Sequence, residues 1–212
     1  LYADPGKKVR MINRDVTLET DIFTYDLGIE LGYYNTGGVL YDSQNRLISQ
    51  EGEYMPQTKD ANFYLDVRLF SHGKTDTLVI YSDSLFYNTN SKISVLRSPS
   101  EIINKRGTIY TTDGLYDTAL DTAALYERSL VSSPEGRTLT ADTIYYDRVS
   151  GLGQCFGYMI MTDSARQASL QADYGFFNQA TDSAYATGHL IIKEYSQGDT
   201  LYLHGRQLNA YR

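Results

Sequence analysis

The sequence contains no tryptophan, only one cysteine and four prolines, and no long uninterrupted apolar run. Its single cysteine, Cys155, excludes a disulfide within the chain and is compatible with either side of a membrane, since not every protein of an oxidising compartment has disulfides. No run approaches the roughly 18 apolar residues of a membrane-spanning helix. The longest basic cluster is residues 7–10, and the net charge is −7. Nucleic acid is therefore an unfavourable partner, because its phosphates would be repelled.

Motifs of the common enzyme and metal sites are absent as well. The three histidines lack the spacing of metal ligands, and no P-loop, dinucleotide fingerprint or Gly-x-Ser-x-Gly elbow occurs. Paired acids carry out glycoside hydrolysis, but such a pair must converge on one site, whereas the acids of this chain recur along its whole length. We therefore predict no catalytic residue, no metal and no cofactor, in a protein that is not an enzyme.

Repetition is what the sequence has in abundance. The segment at residues 139–147, LTADTIYYD, recurs at intervals near 30 residues. Its leading apolar residue returns at Leu18, Leu47, Leu78, Ile109, Leu139, Leu170 and Leu201. An aromatic residue follows about seven positions later, at Tyr25, Tyr54, Tyr87, Tyr116, Tyr146 and Phe177. A constant period over the whole chain is typical of stacked repeats.

Each copy favours β-strands. The 20 tyrosines, with abundant Thr, Ser, Asp and Gly, favour short strands and turns over helices. Residues 119–130 alone have a helix-like composition, but they fall where the repeat predicts a strand. In the copy at Leu139, the apolar alternation slips by one residue at Asp142, which predicts a bulge or corner there. We expect five acids to be structural bend residues: Asp21, Asp83, Asp113, Asp142 and Asp173.

The residue two positions before the aromatic alternates between large and absent side chains. The series is Phe23, Gly52, Leu85, Gly114, Ile144 and Gly175. If neighbouring copies stack, each glycine would make room for a bulky side chain beside it. We hypothesise a superperiod of two copies on this basis.

The predicted domain organisation is one all-β domain over residues 1–212, built from about six stacked repeats. The chain opens inside a fragment of the motif at residues 1–4 and closes partway through a seventh copy, so we expect it to be a piece of a longer protein. Strands at the two ends of a stack have unpaired backbone groups, which would pair with another copy or another protein.

Residues 139–147 and 170–178 resemble the LxADxxxYD signature of OstA-like proteins, as does the passage at residues 151–157. That family is related to the periplasmic lipopolysaccharide-bridge protein LptA and to the N-terminal domain of the outer-membrane translocon LptD. The tyrosine-rich version seen here is similar to the OstA-like proteins of Bacteroides-type bacteria. The resemblance extends over the chain from about Val9, although the copies at Leu47 and Leu201 lack the acid.

The resemblance implies a semi-closed β-jelly-roll of antiparallel strands, open along one side, that binds lipid A acyl chains of lipopolysaccharide. It implies a periplasmic location, associated with the outer membrane, in lipopolysaccharide transport. It also implies head-to-tail self-association and docking to other Lpt-type bridge or translocon proteins through the end strands.

An apolar groove would stabilise a bound acyl chain by about 0.8 kcal/mol per methylene. The candidate groove residues are Leu78, Leu85, Leu139, Ile144, Tyr146, Met159, Met161, Leu170, Phe177, Ile192 and Leu201. Because the net charge is −7, we expect the phosphorylated head group to stay in water.

Two alternatives remain open for the same residues. One is a dry packed core, in a scaffold solenoid that docks partners by its open edge strands. The other is a glycan-binding β-solenoid with outward tyrosines. Tyr25, Tyr87, Tyr116 and Tyr146 share the apolar stripe, which favours an inward orientation for these four residues over a sugar platform.

Overall fold

A computed structural model describes residues 2–3, 8–72, 76–181, 183–196 and 198–211, so the predicted motif fragment at residues 1–4 lies partly outside the described residues. Every regular element in these ranges is a β-strand. The first twelve are β1 (Tyr2–Ala3), β2 (Val9–Asn13), β3 (Val16–Thr20), β4 (Phe23–Asp26), β5 (Leu31–Tyr34), β6 (Gly38–Tyr41), β7 (Asn45–Ser49), β8 (Glu51–Met55), β9 (Asp60–His72), β10 (Thr77–Asn88), β11 (Ile93–Leu96) and β12 (Ser100–Asn104). The others are β13 (Gly107–Thr111), β14 (Asp113–Asp117), β15 (Thr122–Tyr126), β16 (Leu130–Ser132), β17 (Arg137–Thr140), β18 (Thr143–Asp147), β19 (Leu152–Asp163), β20 (Ala168–Asn178), β21 (Ser183–Glu194) and β22 (Leu201–Tyr211).

The chain divides into two compact units. The first unit comprises Leu1–Asn104 and Leu115–Ala119, and the second comprises Lys105–Gly114 and Leu120–Arg212. In the described ranges, no helix is long and apolar enough to span a membrane. The single domain expected over residues 1–212 stays a prediction.

The strands of the first unit form two layers. One layer, which we call the anchor layer because it carries the leading apolar residue of each copy, runs β2–β3–β6–β7–β9–β10–β12. The other, the aromatic layer, runs β1–β4–β5–β8–β9–β10–β11. Strands β9 and β10 are long enough to belong to both layers, and their register shifts between Ser82 and Ser84, where they turn the corner.

The second unit repeats this plan. Its anchor layer runs β13–β16–β17–β19–β20–β21–β22, and its aromatic layer runs β15–β18–β19–β20–β21–β22. The long strands shift register at the corner, for example between Phe156 and Met159. All of these pairings are antiparallel, so the predicted all-β, jelly-roll-like fold is confirmed.

Buried hydroxyl groups close the corners of the first unit. Thr20, Ser49 and Ser82 each donate a hydrogen bond to the carbonyl oxygen two residues further on, at 3.3, 2.7 and 2.8 Å. In the second unit, Thr111 makes the same bond to the carbonyl of Asp113 at 2.8 Å, whereas the buried Ala141 and Ala172 occupy the corresponding positions of later copies. The corner therefore tolerates a small side chain of either polarity, because the bulge itself turns the chain.

The hairpin turns beside the aromatic layer are closed by the Asp or Asn that follows the aromatic residue. Its side-chain oxygen accepts a hydrogen bond from the backbone amide two residues further on in the turns at Asp26, Asn88, Asp117, Asp147 and Asn178. Successive turns are also bonded to each other, as in the amide of Gln179 donating to the carbonyl of Gly151 at 3.0 Å. This turn chemistry explains why the Asp or Asn recurs with the 30-residue period.

Two glycines make room for neighbouring side chains, as the superperiod hypothesis requires. A methyl group at Gly52 would overlap the ring of Tyr34, and one at Gly175 would overlap the sulfur of Met159. A larger residue at either position would displace a packed neighbour. At Gly114, the third glycine of the series, an added methyl group would meet the backbone carbonyl of Ala124 instead, so the superperiod of two copies stays a hypothesis.

Candidate functional site

The interior of the first unit is filled with side chains. Residues that face each other across neighbouring strands of its anchor layer form one apolar row: Leu18, Leu40, Leu47, Leu69, Ile80 and Ile102. None of these six is more than 1% exposed. Large residues of the aromatic layer, including Tyr54, Phe63, Leu85 and Tyr87, are buried against them. This interior is a close-packed core.

Hydrogen bonds to tyrosine hydroxyls join the two layers of the first unit at their outer ends. The side-chain amide of Asn13 donates to the Tyr54 hydroxyl at 3.2 Å, and that of Asn45 donates to the Tyr87 hydroxyl at 2.7 Å. We call such a bond, from the outer end of the anchor layer to a tyrosine some forty residues later, a tyrosine latch. Burial raises the pKa of both Tyr54 and Tyr87, so each hydroxyl keeps its proton.

The latch at Tyr87 belongs to a buried polar cluster. The Tyr87 hydroxyl donates to the Asp42 carboxylate at 2.5 Å, and the Lys92 ammonium group lies 3.0 Å from the same oxygen. Burial alone would raise the pKa of Asp42, but hydrogen bonds from Tyr87, from the amides of Gln44 and Asn45 and from Lys92 hold it below its ordinary value. The cluster closes the outer end of the core with an ionised carboxylate that accepts hydrogen bonds from Gln44, Asn45, Tyr87 and Lys92.

The second unit has one latch of this kind and then loses it. Arg106 donates to the Tyr146 hydroxyl at 2.7 Å across a separation of forty residues. One copy later, the residue forty positions after Arg137 is Phe177 and not a tyrosine. A phenylalanine ring has no hydroxyl to accept a hydrogen bond, so the latch cannot form there. The Phe177 ring instead lies 5.8 Å from the Tyr146 ring, centroid to centroid.

A cleft of about 580 Å³ opens between the two layers at this point. Its apolar lining includes Val131, Leu139 and Met161 from the anchor layer and Phe177 and Ala184 from the aromatic layer. Val131, Leu139 and Met161 face one another across neighbouring strands. The same apolar row continues across the next strands through Leu170, Ile192 and Leu203. These residues are half-buried or exposed, in contrast to the filled row of the first unit.

Small residues border the cleft on the aromatic-layer side. Phe177, Ala184 and Ala210 line it and face one another across β20, β21 and β22. The corresponding register of the first unit joins Tyr54, Ala61 and Tyr87, which are all buried. An alanine in the place of a tyrosine removes volume that the backbone does not recover, which leaves a cavity.

The predicted groove residues fall into three groups. Leu139, Met161 and Phe177 line the cleft. Tyr146, Leu170 and Ile192 are half-buried in the same unit. Ile144 and Met159 are buried near the corner of that unit, Leu78 and Leu85 are buried in the first unit, and Leu201 is 66% exposed. The assignment of these residues to a lipid groove stays a prediction. It applies most directly to Leu139, Met161 and Phe177, which line the cleft.

The five predicted bend acids all lie beside a corner and are exposed. Asp83 lies within the register shift of β10, and Asp173 lies within that of β20. Asp142 pairs with Arg128 at 2.9 Å, and Asp173 contacts Nδ1 of His189 at 2.7 Å. Within the described residues, these carboxylates make no hydrogen bond to a backbone amide; the acids that do so are those of the hairpin turns. Their structural role stays a prediction.

The described residues that line the cleft include no Cys, His, Asp or Glu, and Cys155, the one cysteine of the chain, is buried elsewhere in the second unit. Burial raises the pKa of the Cys155 thiol to about 12, so the thiolate required for nucleophilic chemistry is not populated near neutral pH. In the described ranges, no three His, Cys, Asp or Glu side chains are grouped as the ligands of a metal ion would be. What the arrangement offers chemically is an apolar surface that a ligand can cover.

Aromatic side chains also occur on the outer surface of the second unit. Tyr145 and Phe156 are exposed, and a row of ring contacts runs from Tyr145 through Phe156 and Tyr174 to Tyr185, with centroids 5.9, 5.1 and 6.3 Å apart. This row is not the stripe identified in the sequence, of which Tyr87 and Tyr116 are buried. A glycan ligand, in the glycan-binding alternative, would stack on this row of rings.

The tyrosine latches were not found from the sequence. The latch residues Asn13, Asn45 and Arg106 are of two types, so they do not stand out as a repeated motif, although their spacings of 32 and 61 residues are close to one and two repeat periods. The change from tyrosine to Phe177 was visible in the series of aromatics, but its consequence depends on a partner forty residues away. Polar residues that recur near the repeat period are the signal of the latches that the sequence contains.

Comparison with known proteins identifies the family. No curated protein matches the chain. A family model described as OstA-like protein matches residues 2–75 and 70–131, which together cover more than half of the 212 residues. This match agrees with the family that the repeated LxADxxxYD pattern indicates and with the antiparallel all-β fold. The chain belongs to the OstA-like protein family.

Proposed function

We propose that this protein is a lipid-binding module of lipopolysaccharide transport, which holds acyl chains in the cleft of its second unit. The observation that carries the proposal is the unfilled apolar row at Leu139 and Met161, which faces Phe177 where a tyrosine latch would otherwise close the layers. An exposed apolar cleft of this kind is typical of a binding site. Membership of the OstA-like family supports lipopolysaccharide as the source of the acyl chains.

The volume of the cleft limits what it holds at one time. About 580 Å³ is the space of about twenty water-sized groups at roughly 30 Å³ each. One long acyl chain, or two short ones, fits that space. Each buried methylene contributes about 0.8 kcal/mol, so a 12-carbon chain gains on the order of 10 kcal/mol before the cost of ordering it. The remaining chains of a larger lipid would follow the apolar row towards Leu170 and Ile192.

The partners proposed are other Lpt-type bridge or translocon proteins and further copies of this chain, in the periplasm at the outer membrane. Support comes from β22, which is bonded to β21 along one edge and exposes Leu201, Tyr202 and Leu203. A strand edge with exposed apolar side chains accepts an additional strand. The scaffold alternative uses the same edge but leaves the cleft without lipid.

Photo-methionine incorporation tests the proposal, because the four methionines are divided between the units. Met161 lines the cleft, whereas Met11 and Met55 lie in the first unit and serve as internal controls. After incubation with lipopolysaccharide and irradiation, we expect a lipid A adduct on peptides that contain Met161 and none on those that contain Met11 or Met55. Lipid adducts spread equally over all methionines, or absent from Met161, would contradict lipid binding in the cleft.

A further inference from the structure

The charge around the cleft is opposite to that of the whole protein. The chain has 26 acidic and 19 basic residues, yet the described residues that line the cleft include Arg137 and Arg166 and no Asp or Glu. The nearest acid in contact with them is Asp163, whose carboxylate lies 3.5 Å from Nε of Arg137 and 3.9 Å from a terminal nitrogen of Arg166. The exposed Glu135 carboxylate also interacts electrostatically with Arg137, but it does not line the cleft. The charged side chains of the lining itself are the two arginines, so the charge that a ligand in the cleft meets is positive.

The missing latch explains why Arg137 is available to a ligand. In the copy before it, Arg106 is engaged by the Tyr146 hydroxyl, the carbonyl of Arg148 and the side chain of Gln179. Arg137 has Phe177 in the place of that tyrosine. Its ion pair with Asp163 uses Nε, and half of the side chain is exposed. A guanidinium group in this situation can present its terminal N–H groups as a fork to an oxyanion.

From this arrangement we propose that Arg137 and Arg166 bind the phosphate of a lipid whose acyl chain occupies the cleft. The inference rests on the proposed function, and it adds that the cargo is selected as an anionic amphiphile. Arginine forks match the geometry of phosphate oxygens, and the apolar lining at Leu139, Met161 and Phe177 takes the chain. The net charge of −7 does not oppose this, because salt screens exposed charges more than about 10 Å away.

Two probes with the same chain separate the head group from the tail. Binding of dodecyl phosphate and of dodecanol to the full chain would be measured by calorimetry below the concentration at which either probe aggregates, with inorganic phosphate as a third ligand. We expect dodecyl phosphate to bind about tenfold more tightly than dodecanol, because one charge-assisted hydrogen bond contributes about that factor to the binding constant. Inorganic phosphate alone should bind too weakly to detect, because it lacks the chain. The preference should fall as salt is added.

The double variant Arg137→Gln with Arg166→Gln should bind the two chain-bearing probes equally while keeping the wild-type affinity for dodecanol. Arg68→Gln, an exposed arginine of the first unit paired with Asp66, is the matched control and should retain the tenfold preference. Equal binding of the two probes by the wild type, or an unchanged preference in the double variant, would overturn the phosphate site while dodecanol binding still supports the cleft. Binding of neither probe would overturn both proposals.

Discussion

The two units are built from the same repeat but differ in what lies between their layers. In the first, the row that includes Leu47 and Leu69 is fully covered by side chains of the facing layer. In the second, the equivalent row at Leu139 and Met161 is half-buried and borders a cleft of about 580 Å³. The backbone pairing is alike in both, so the strands alone do not decide whether the interior is a core or a binding site.

Two kinds of substitution account for the difference. Ala210 stands where the first unit has Tyr87, which creates space on the facing layer, and Phe177 replaces a tyrosine, which removes the latch to Arg137. A repeat protein can change these positions in one copy without disturbing the others, because each copy contacts mainly its neighbours. Binding can therefore be placed in one part of the stack while another part provides stability.

The largest expected effect comes from truncating the two rows at matched positions. Leu69→Ala in the first unit should lower the free energy of unfolding by about 3 kcal/mol, because it leaves a cavity in a filled core. Leu139→Ala should lower it by about 1 kcal/mol, since part of that side chain already faces the cleft. Urea unfolding followed by tyrosine fluorescence measures both, as the chain has no tryptophan. Equal losses would show that the two rows are packed alike.

The latches provide the second comparison, at Tyr87 and Tyr146. Tyr87→Phe removes the donor to Asp42 and the acceptor of Asn45 inside a buried cluster, which should cost about 2 kcal/mol. Tyr146→Phe removes an exposed bond from Arg106 and should cost about 0.5 kcal/mol.

The pH dependence of the Tyr87→Phe effect identifies its cause. The pKa of Asp42 is lowered in the folded protein, so the stability that depends on its ionised form is present above about pH 4 and is lost as the pH falls below that value. The difference between wild type and Tyr87→Phe should therefore narrow in acid, as measured by urea unfolding at pH 7 and pH 3.5. A difference that stays constant with pH would mean that the hydroxyl does not act through Asp42.

Much of the fold follows from the sequence because it depends on local patterns. The 30-residue period predicts stacked copies, and the slip in alternation at Asp142 predicts a corner of the kind at which β10 and β20 shift register. The repeat predicts a strand at residues 119–130 against their helix-like composition, and β15 (Thr122–Tyr126) confirms it. Pairing with β18 outweighs the intrinsic preference of a short segment.

The candidate site was less predictable because it depends on partners distant in sequence. Alternation shows that Leu78 and Leu139 both face inward, but it does not show that the first is covered and the second borders a cleft. That difference arises from residues such as Ala184 and Phe177, which lie on other strands. Similarly, a net charge of −7 describes the whole chain and not the two arginines at the cleft.

The smallest expected change in stability, with a large change in binding, comes from restoring the missing latch. Phe177→Tyr adds a hydroxyl group forty residues from Arg137, the separation at which Arg106 donates to Tyr146. The new bond would be partly exposed and should contribute about 0.5 kcal/mol or less to the free energy of unfolding. It should nevertheless hold the two layers together over the cleft and engage Arg137, so binding of dodecyl phosphate should weaken about tenfold or more.

Phe176→Tyr, on the neighbouring residue that faces the opposite side of β20, is the control and should bind as the wild type does. If Phe177→Tyr binds the probe as tightly as the wild type, the absence of a latch is not what keeps the cleft open, and the small residues opposite the apolar row suffice by themselves.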